Sequence, residues 1–264
     1  MGFFDSIKKD QLGRRAYRTH VSATQLRRQG KVMEAEAKLK DALKMYDEAY
    51  ALGFRQPSAM LGYAILTMQM GNAERARELM LECSKDKTMS PQDRYTLRVN
   101  FSVCQWKLGQ LDKAIETIRR AGSENMSSTV YTTLGMFLVD KAKLTGDFEE
   151  AMSFNLEAMD YDDEDAATLD NMGQLYLAMS EKAKADGDAE KAASDRETAY
   201  DYFKKAYKEK PEQITSAYYL AMMENEKGNS EYARKLVEKT LKTPMTALCP
   251  VTKDDLLALQ KKIG

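Results

Sequence analysis

Histidine is nearly missing from the 264 residues: His20 is the only one. That removes Ser–His and Cys–His dyads other than through this one residue, and any metal site built from several imidazoles. Cysteine is scarce too. Cys83, Cys104 and Cys249 are odd in number, far apart, and form no CxxC pair. This usage fits reduced thiols packed in a core and a cytoplasmic setting. No apolar run reaches the ~18 residues of a spanning helix, and the N-terminus lacks the apolar stretch of a secretory signal. Neither sign of charge dominates, with 40 Lys plus Arg against 41 Asp plus Glu and a net charge of −1. A chain without a basic surplus is not expected to bind nucleic acid.

Only 5 prolines and 14 glycines interrupt long stretches of Ala, Leu, Met, Lys, Glu and Arg. Those residues favour helix, so the whole chain reads as helical. With 43% hydrophobic and 31% charged residues, the composition is that of a folded protein and not a disordered one.

The glycines are not scattered. GKVMEA (30–35), GNAERA (71–76), GQLDKA (109–114), GDFEEA (146–151), GDAEKA (187–192) and GNSEYA (228–233) share one skeleton, a glycine with an alanine five residues later. Gly30, Gly71, Gly109, Gly146, Gly187 and Gly228 follow one another at separations of 41, 38, 37, 41 and 41. Periods of roughly 20–50 residues signal stacked repeats. Each unit reads as helix, glycine turn, helix: the glycine accepts positive φ at a helix C-terminus, and the small alanine lets two helices approach.

Around this skeleton the fifth unit has Leu169, Met172, Gly173 and Tyr176 before the turn, then Ala199, Phe203, Ala206 and Pro211. The third has Ser102, Leu111, Ala114, Ile118 and Ala121, and the fourth Leu134, Gly135, Phe148, Ala151 and Ala158. The sixth offers Leu220, Ala221, Ala233 and Val237. The first two match through Ala23, Ala35, Leu39 and Ala42, and through Ala64, Ala76, Met80 and Cys83. In these residues the chain resembles the tetratricopeptide repeat (TPR) family over residues 16–243. The resemblance implies an all-α fold, a right-handed α-solenoid of about six helix pairs. The family period is about 34, so these units are longer by roughly 3, 4 or 7 residues, which is one or two helical turns. The surplus is therefore expected inside helices. A HEAT-type array also has units of about 40 residues and is the rival arrangement.

The ends differ from the repeats, as capping units must. In residues 244–264, VTKDDLLALQKKI reads as a last helix with Thr252 as N-cap and Asp255 in the capping-box slot. Leu256, Leu257 and Leu259 are expected to cover the end of the sixth repeat. In residues 1–15, Phe3, Phe4, Ile7 and Leu12 share a helical face beside Lys8, Lys9, Arg14 and Arg15. That segment could dock in a groove, cap the first repeat, or touch an anionic membrane surface. MGFFDS also satisfies the loose pattern for N-terminal acylation.

Catalytic and cofactor signatures are sparse. The acidic run DYDDED (160–165) lacks the central glycine of a calcium loop and reads as a solvated linker that caps the next helix. The glycines stand singly at turns and build no phosphate-cradling loop. Neither an enzyme nor a cofactor or metal site is expected. What remains is a surface. The resemblance implies that the first helix of each pair lines a concave face. The slots there hold His20, Thr24 and Arg27; Leu61, Ile65 and Met68; Val99, Val103 and Trp106; Thr132, Met136 and Val139; Asp170, Gln174 and Leu177; and Tyr218, Met222 and Asn225. The middle of the set is apolar. It serves either as a groove that a protein or peptide covers, or as side chains buried against each other. The Lys/Asn/Arg clamp of chaperone-tail binders has no counterpart, since its Asn and Lys slots hold Thr24, Gly62 and Thr96. The expected function is a non-catalytic scaffold for a protein or peptide segment. A peptide-sensing module acting through a partner and a self-assembling repeat protein are the alternatives.

Overall fold

The six skeleton glycines all adopt positive φ, between 71° and 93°, and no other residue type does so among the described residues. A computed structural model describes residues 3–245 and 249–264, with side chains from Ile7 onward. Met1, Gly2 and the side chains of Phe3 and Phe4, which the acylation pattern and the N-terminal apolar face invoke, lie outside the described residues. Among the described residues there are thirteen helices and no strand.

The chain divides into two compact units, Met1–Thr117 and Ile118–Gly264. The first holds α1 (Phe3–Arg28), α2 (Val32–Ala51), α3 (Pro57–Gln69), α4 (Ala73–Ser84) and α5 (Pro91–Lys107). The boundary falls within α6 (Leu111–Glu124). The second holds α7 (Ser128–Thr145), α8 (Glu149–Tyr161), α9 (Ala166–Ala185), α10 (Ala189–Glu209), α11 (Ile214–Glu226), α12 (Ser230–Thr240) and α13 (Lys253–Ile263). In the first unit α1 pairs with α2 and α3 with α4, and α1, α3 and α5 touch in succession. The second repeats the scheme with α7/α8, α9/α10 and α11/α12, and α9 touches both α7 and α11.

The turns explain the glycines. At Gly71 φ is 93°, and nothing lies within 4 Å of where a Cβ would stand. The backbone conformation, and not lack of space, requires glycine there. The N–H after the glycine closes the helix end, as Asn72 N donates to Thr67 O at 3.1 Å and Lys31 N to Leu26 O at 2.9 Å. Gly146 ends its helix with a shorter loop, donating its own N–H to Ala142 O at 2.8 Å. The partner alanines Ala35, Ala76, Ala114, Ala151, Ala192 and Ala233 are all buried, as close helix approach demands.

The surplus residues lie in long helices: α2 has 20, α9 has 20 and α10 has 21. Gly53, at φ 85°, closes the lengthened α2. α1 runs unbroken for 26 residues, so residues 3–15 are the start of the first repeat's leading helix. Gly13 lies within it, under the ring of buried Phe54. Asp165 of the acidic run accepts from Ala167 N and Thr168 N and so caps α9.

At the C-terminus the capping box forms, with Asp255 N donating to Thr252 Oγ1 at 3.1 Å and Thr252 N to Asp255 Oδ2 at 2.8 Å. Leu256 and Leu259 enter the core made with α11 and α12. Leu257 does not: it is 38% exposed, and Ile263 takes the third place. Spacings of three and four residues (256, 259, 263) keep one helical face, whereas adjacent leucines diverge by about 100°.

Candidate partner-binding surface

In the first unit the slots assigned to the concave side divide by exposure. Leu61, Met68, Val99 and Val103 are buried, whereas Ile65 on α3 and Trp106 on α5 are half-buried. In the second unit Met136, Val139 and Leu177 are buried, whereas Tyr218 and Met222 on α11 are half-buried. A side chain already withdrawn from water has little left to gain from a partner, so the seven buried residues hold helices together. The four half-buried ones offer apolar surface.

His20 is also half-buried, set edge-on to the Tyr46 ring with centroids 6.2 Å apart. Burial, with Arg27 nearby, lowers its pKa, so the imidazole is neutral near pH 7. The thiols of Cys83 and Cys104 are pushed up by burial, to about 12 and about 11. Neither is a thiolate at neutral pH. Among the described residues no group of three or more His, Cys, Asp and Glu is arranged to hold a metal. No described helix is long and apolar enough to cross a membrane.

Asp170 and Gln174, assigned from sequence to the concave side, are buried in a polar network within the second unit. Ser216 Oγ of α11 donates to Asp170 Oδ1 at 2.5 Å, and Gln174 Nε2 donates to Asp170 Oδ2 at 2.9 Å. Lys143 Nζ of α7 donates to Gln174 Oε1 at 2.8 Å and lies 3.2 Å from Asp140 Oδ1. Burial raises the Asp170 pKa, and the bonds from Ser216 and Gln174, with the Lys143 charge, hold the rise to about 6. Sequence reasoning did not find Ser216 or Lys143. Single polar residues on separate helices leave no spacing signal.

A second feature missed in the sequence is a recess of about 350 Å3 in the first unit. Arg14, Tyr17 and Arg18 of α1 line it, facing Gln56, Ser58 and Ala59 at the start of α3. Arginines four residues apart on an exposed helical face were its one available signal.

No family model matches the chain, and no curated protein matches it. Solved structures do. The chain is similar to TTC0263, a TPR protein of Thermus thermophilus, with a TM-score of 0.57 and 18% identity over 79% of this chain and 98% of that one. It is similar to the Cut9–Hcn1 hetero-tetramer of the APC/C, with a TM-score of 0.56 and 14% identity over 98% of this chain and 47% of that one. A TPR protein from Parabacteroides merdae gives a TM-score of 0.50 and 14% identity over 94% and 86% of the two chains. These likenesses establish the class: the chain has the tetratricopeptide-repeat fold, an all-α solenoid of stacked helix pairs, as the glycine–alanine skeleton implies.

Proposed function

We propose that the chain is a non-catalytic scaffold of the cytoplasm that holds a protein or peptide segment on the leading helices of its pairs. The observation that carries this reading is the half-exposure of Ile65 and Trp106 in one unit and of Tyr218 and Met222 in the other. Large apolar side chains left partly in water on the leading helices of the pairs are what a partner's side chains cover, with Trp as anchor and Met as adaptable contact. In support, a TPR chain of similar fold, Cut9, is solved in a hetero-tetramer with Hcn1.

The test is crosslinking and mass spectrometry on the full chain with Trp106→Ala and Met222→Ala variants beside an outward control, Lys40→Ala. A captured partner should map to α3, α5 or α11 and be lost in the first two variants only. Capture that survives both substitutions overturns the reading.

A further inference from the structure

The net charge of −1 conceals a polarity along the chain. Residues 1–117 carry 20 Lys and Arg against 14 Asp and Glu, a surplus of +6, whereas residues 118–264 carry 20 against 27, a deficit of −7.

Each surplus has a focus on one exposed helical face. α1 holds seven Lys and Arg and two Asp. Ile7, Arg14, Arg18 and Val21 fall at spacings of seven, four and three, so they share one arc of the helix, with Tyr17 at its edge. Ile7, Tyr17 and Val21 are about 40% exposed. Neither Arg14 nor Arg18 has an ion-pair partner among the described residues. Both border the 350 Å3 recess, and Ser58, which also lines it, donates its hydroxyl to Asp93 Oδ2 at 2.8 Å.

α8 is the complement. It carries Glu149, Glu150, Glu157 and Asp160 with no Lys or Arg, and Asp162, Asp163, Glu164 and Asp165 follow it. Its exposed arc is Glu149, Ser153, Leu156 and Asp160, at spacings of four, three and four. Leu156 is 47% exposed and Tyr161 at the helix end 55%. Glu150 is engaged by Arg119 and Lys141, and Glu157 accepts from the Tyr131 hydroxyl at 3.0 Å. Glu149 and Asp160 make no side-chain ion pair within their unit.

We infer that the α1 arc of one copy docks on the α8 arc of a second copy, so that the chain associates head to tail. The exposed apolar side chains of the two arcs give the contact its apolar part, and the positive charge of Arg14 and Arg18 faces the negative charge of Glu149 and Asp160. The occupant is a second copy because every chain carries both halves of the match, opposite charge and exposed apolar residues. Two unlike faces make a heterologous contact, in contrast to the isologous contact in which one patch pairs with itself. A single helix pair buries little surface, so the contact is weak, steered by charge and sensitive to salt.

The test is sedimentation velocity of the full chain over a concentration series. The average mass should climb with concentration at about 50 mM salt and return to the monomer at about 500 mM, as the screening length shrinks. Arg14→Glu with Arg18→Glu, and separately Glu149→Lys with Asp160→Lys, should each weaken association by at least about tenfold. Mixing the two variants should restore it, because each supplies a face complementary to the other's. Alanine at the same four positions gives intermediate loss, and circular dichroism checks that each variant keeps its helicity. A monomer at every concentration overturns the inference, as do variants that associate like the parent and a mixture that stays apart. Assembly that disappears on nuclease treatment also overturns it, since the basic arc then serves a polyanion.

Discussion

The ring of Phe203 on α10 fills the space that a side chain at position 173 of α9 would need. A Cβ on Gly173 would stand 2.7 Å from Phe203 Cε1. The glycine is therefore kept for the close approach of two helices, in the middle of a helix where it is otherwise costly.

This fixes the sign of a substitution. On helix propensity alone Gly173→Ala should stabilise by about 1 kcal/mol. Against the buried ring it should instead destabilise by about 1–3 kcal/mol through overpacking. Denaturant unfolding of the variant measures the difference, and Phe203→Leu in the same chain should recover part of it.

Gly71 is the opposite case. With open space around it and φ at 93°, Gly71→Ala meets no neighbour yet must adopt a left-handed conformation. The expected cost is about 1–2 kcal/mol. Thermal unfolding should show a lower midpoint with no change in helical content at low temperature.

Asp170 makes stability depend on pH in an unusual direction. Its carboxyl titrates near 6 in the folded protein, because burial disfavours the charged form, and near 3.9 in the unfolded chain. Between those values the folded state retains a proton that the unfolded chain has released. Stability from this group is greatest below about 4, falls as pH rises to about 6, and is flat above. The loss across the window is about 2–3 kcal/mol. D170N abolishes it, so relative to the parent the variant should gain about that much between pH 4 and pH 7 in denaturant titrations.

At the C-terminus Thr252→Ala removes half of the capping box and should cost about 1 kcal/mol. Hydrogen exchange should place the loss in α13, which Leu256, Leu259 and Ile263 anchor to the core.

Much of this architecture was legible in the chain because repetition amplifies weak local signals. One glycine five residues before an alanine says little. Six in register locate the turn inside each helix pair from Gly30 to Gly228, and each of those glycines adopts the left-handed backbone. The extent of α1 was less visible: residues 1–15 read as a segment apart from the repeats, whereas the helix runs on through Gly13 beneath the Phe54 ring. Side-chain exposure was harder still. Periodicity puts Ile65 and Val103 on equivalent faces, but neighbouring helices decide that one stays partly in water and the other does not. The Asp170 network depends on α7, α9 and α11 meeting at one place, which no linear pattern records. Global charge balance hid the polarity of the two halves, because a sum discards position.

Stacked helix hairpins ordinarily hold only their nearest neighbours and can peel away one after another. The buried carboxylate of Asp170 works against that independence. Gripped by Ser216 from one flank, and tied through Gln174 to Lys143 on the other, it yokes three consecutive hairpins to a single acid group. Melting in that half of the molecule is then concerted, and the loss of the middle hairpin loosens the two beside it.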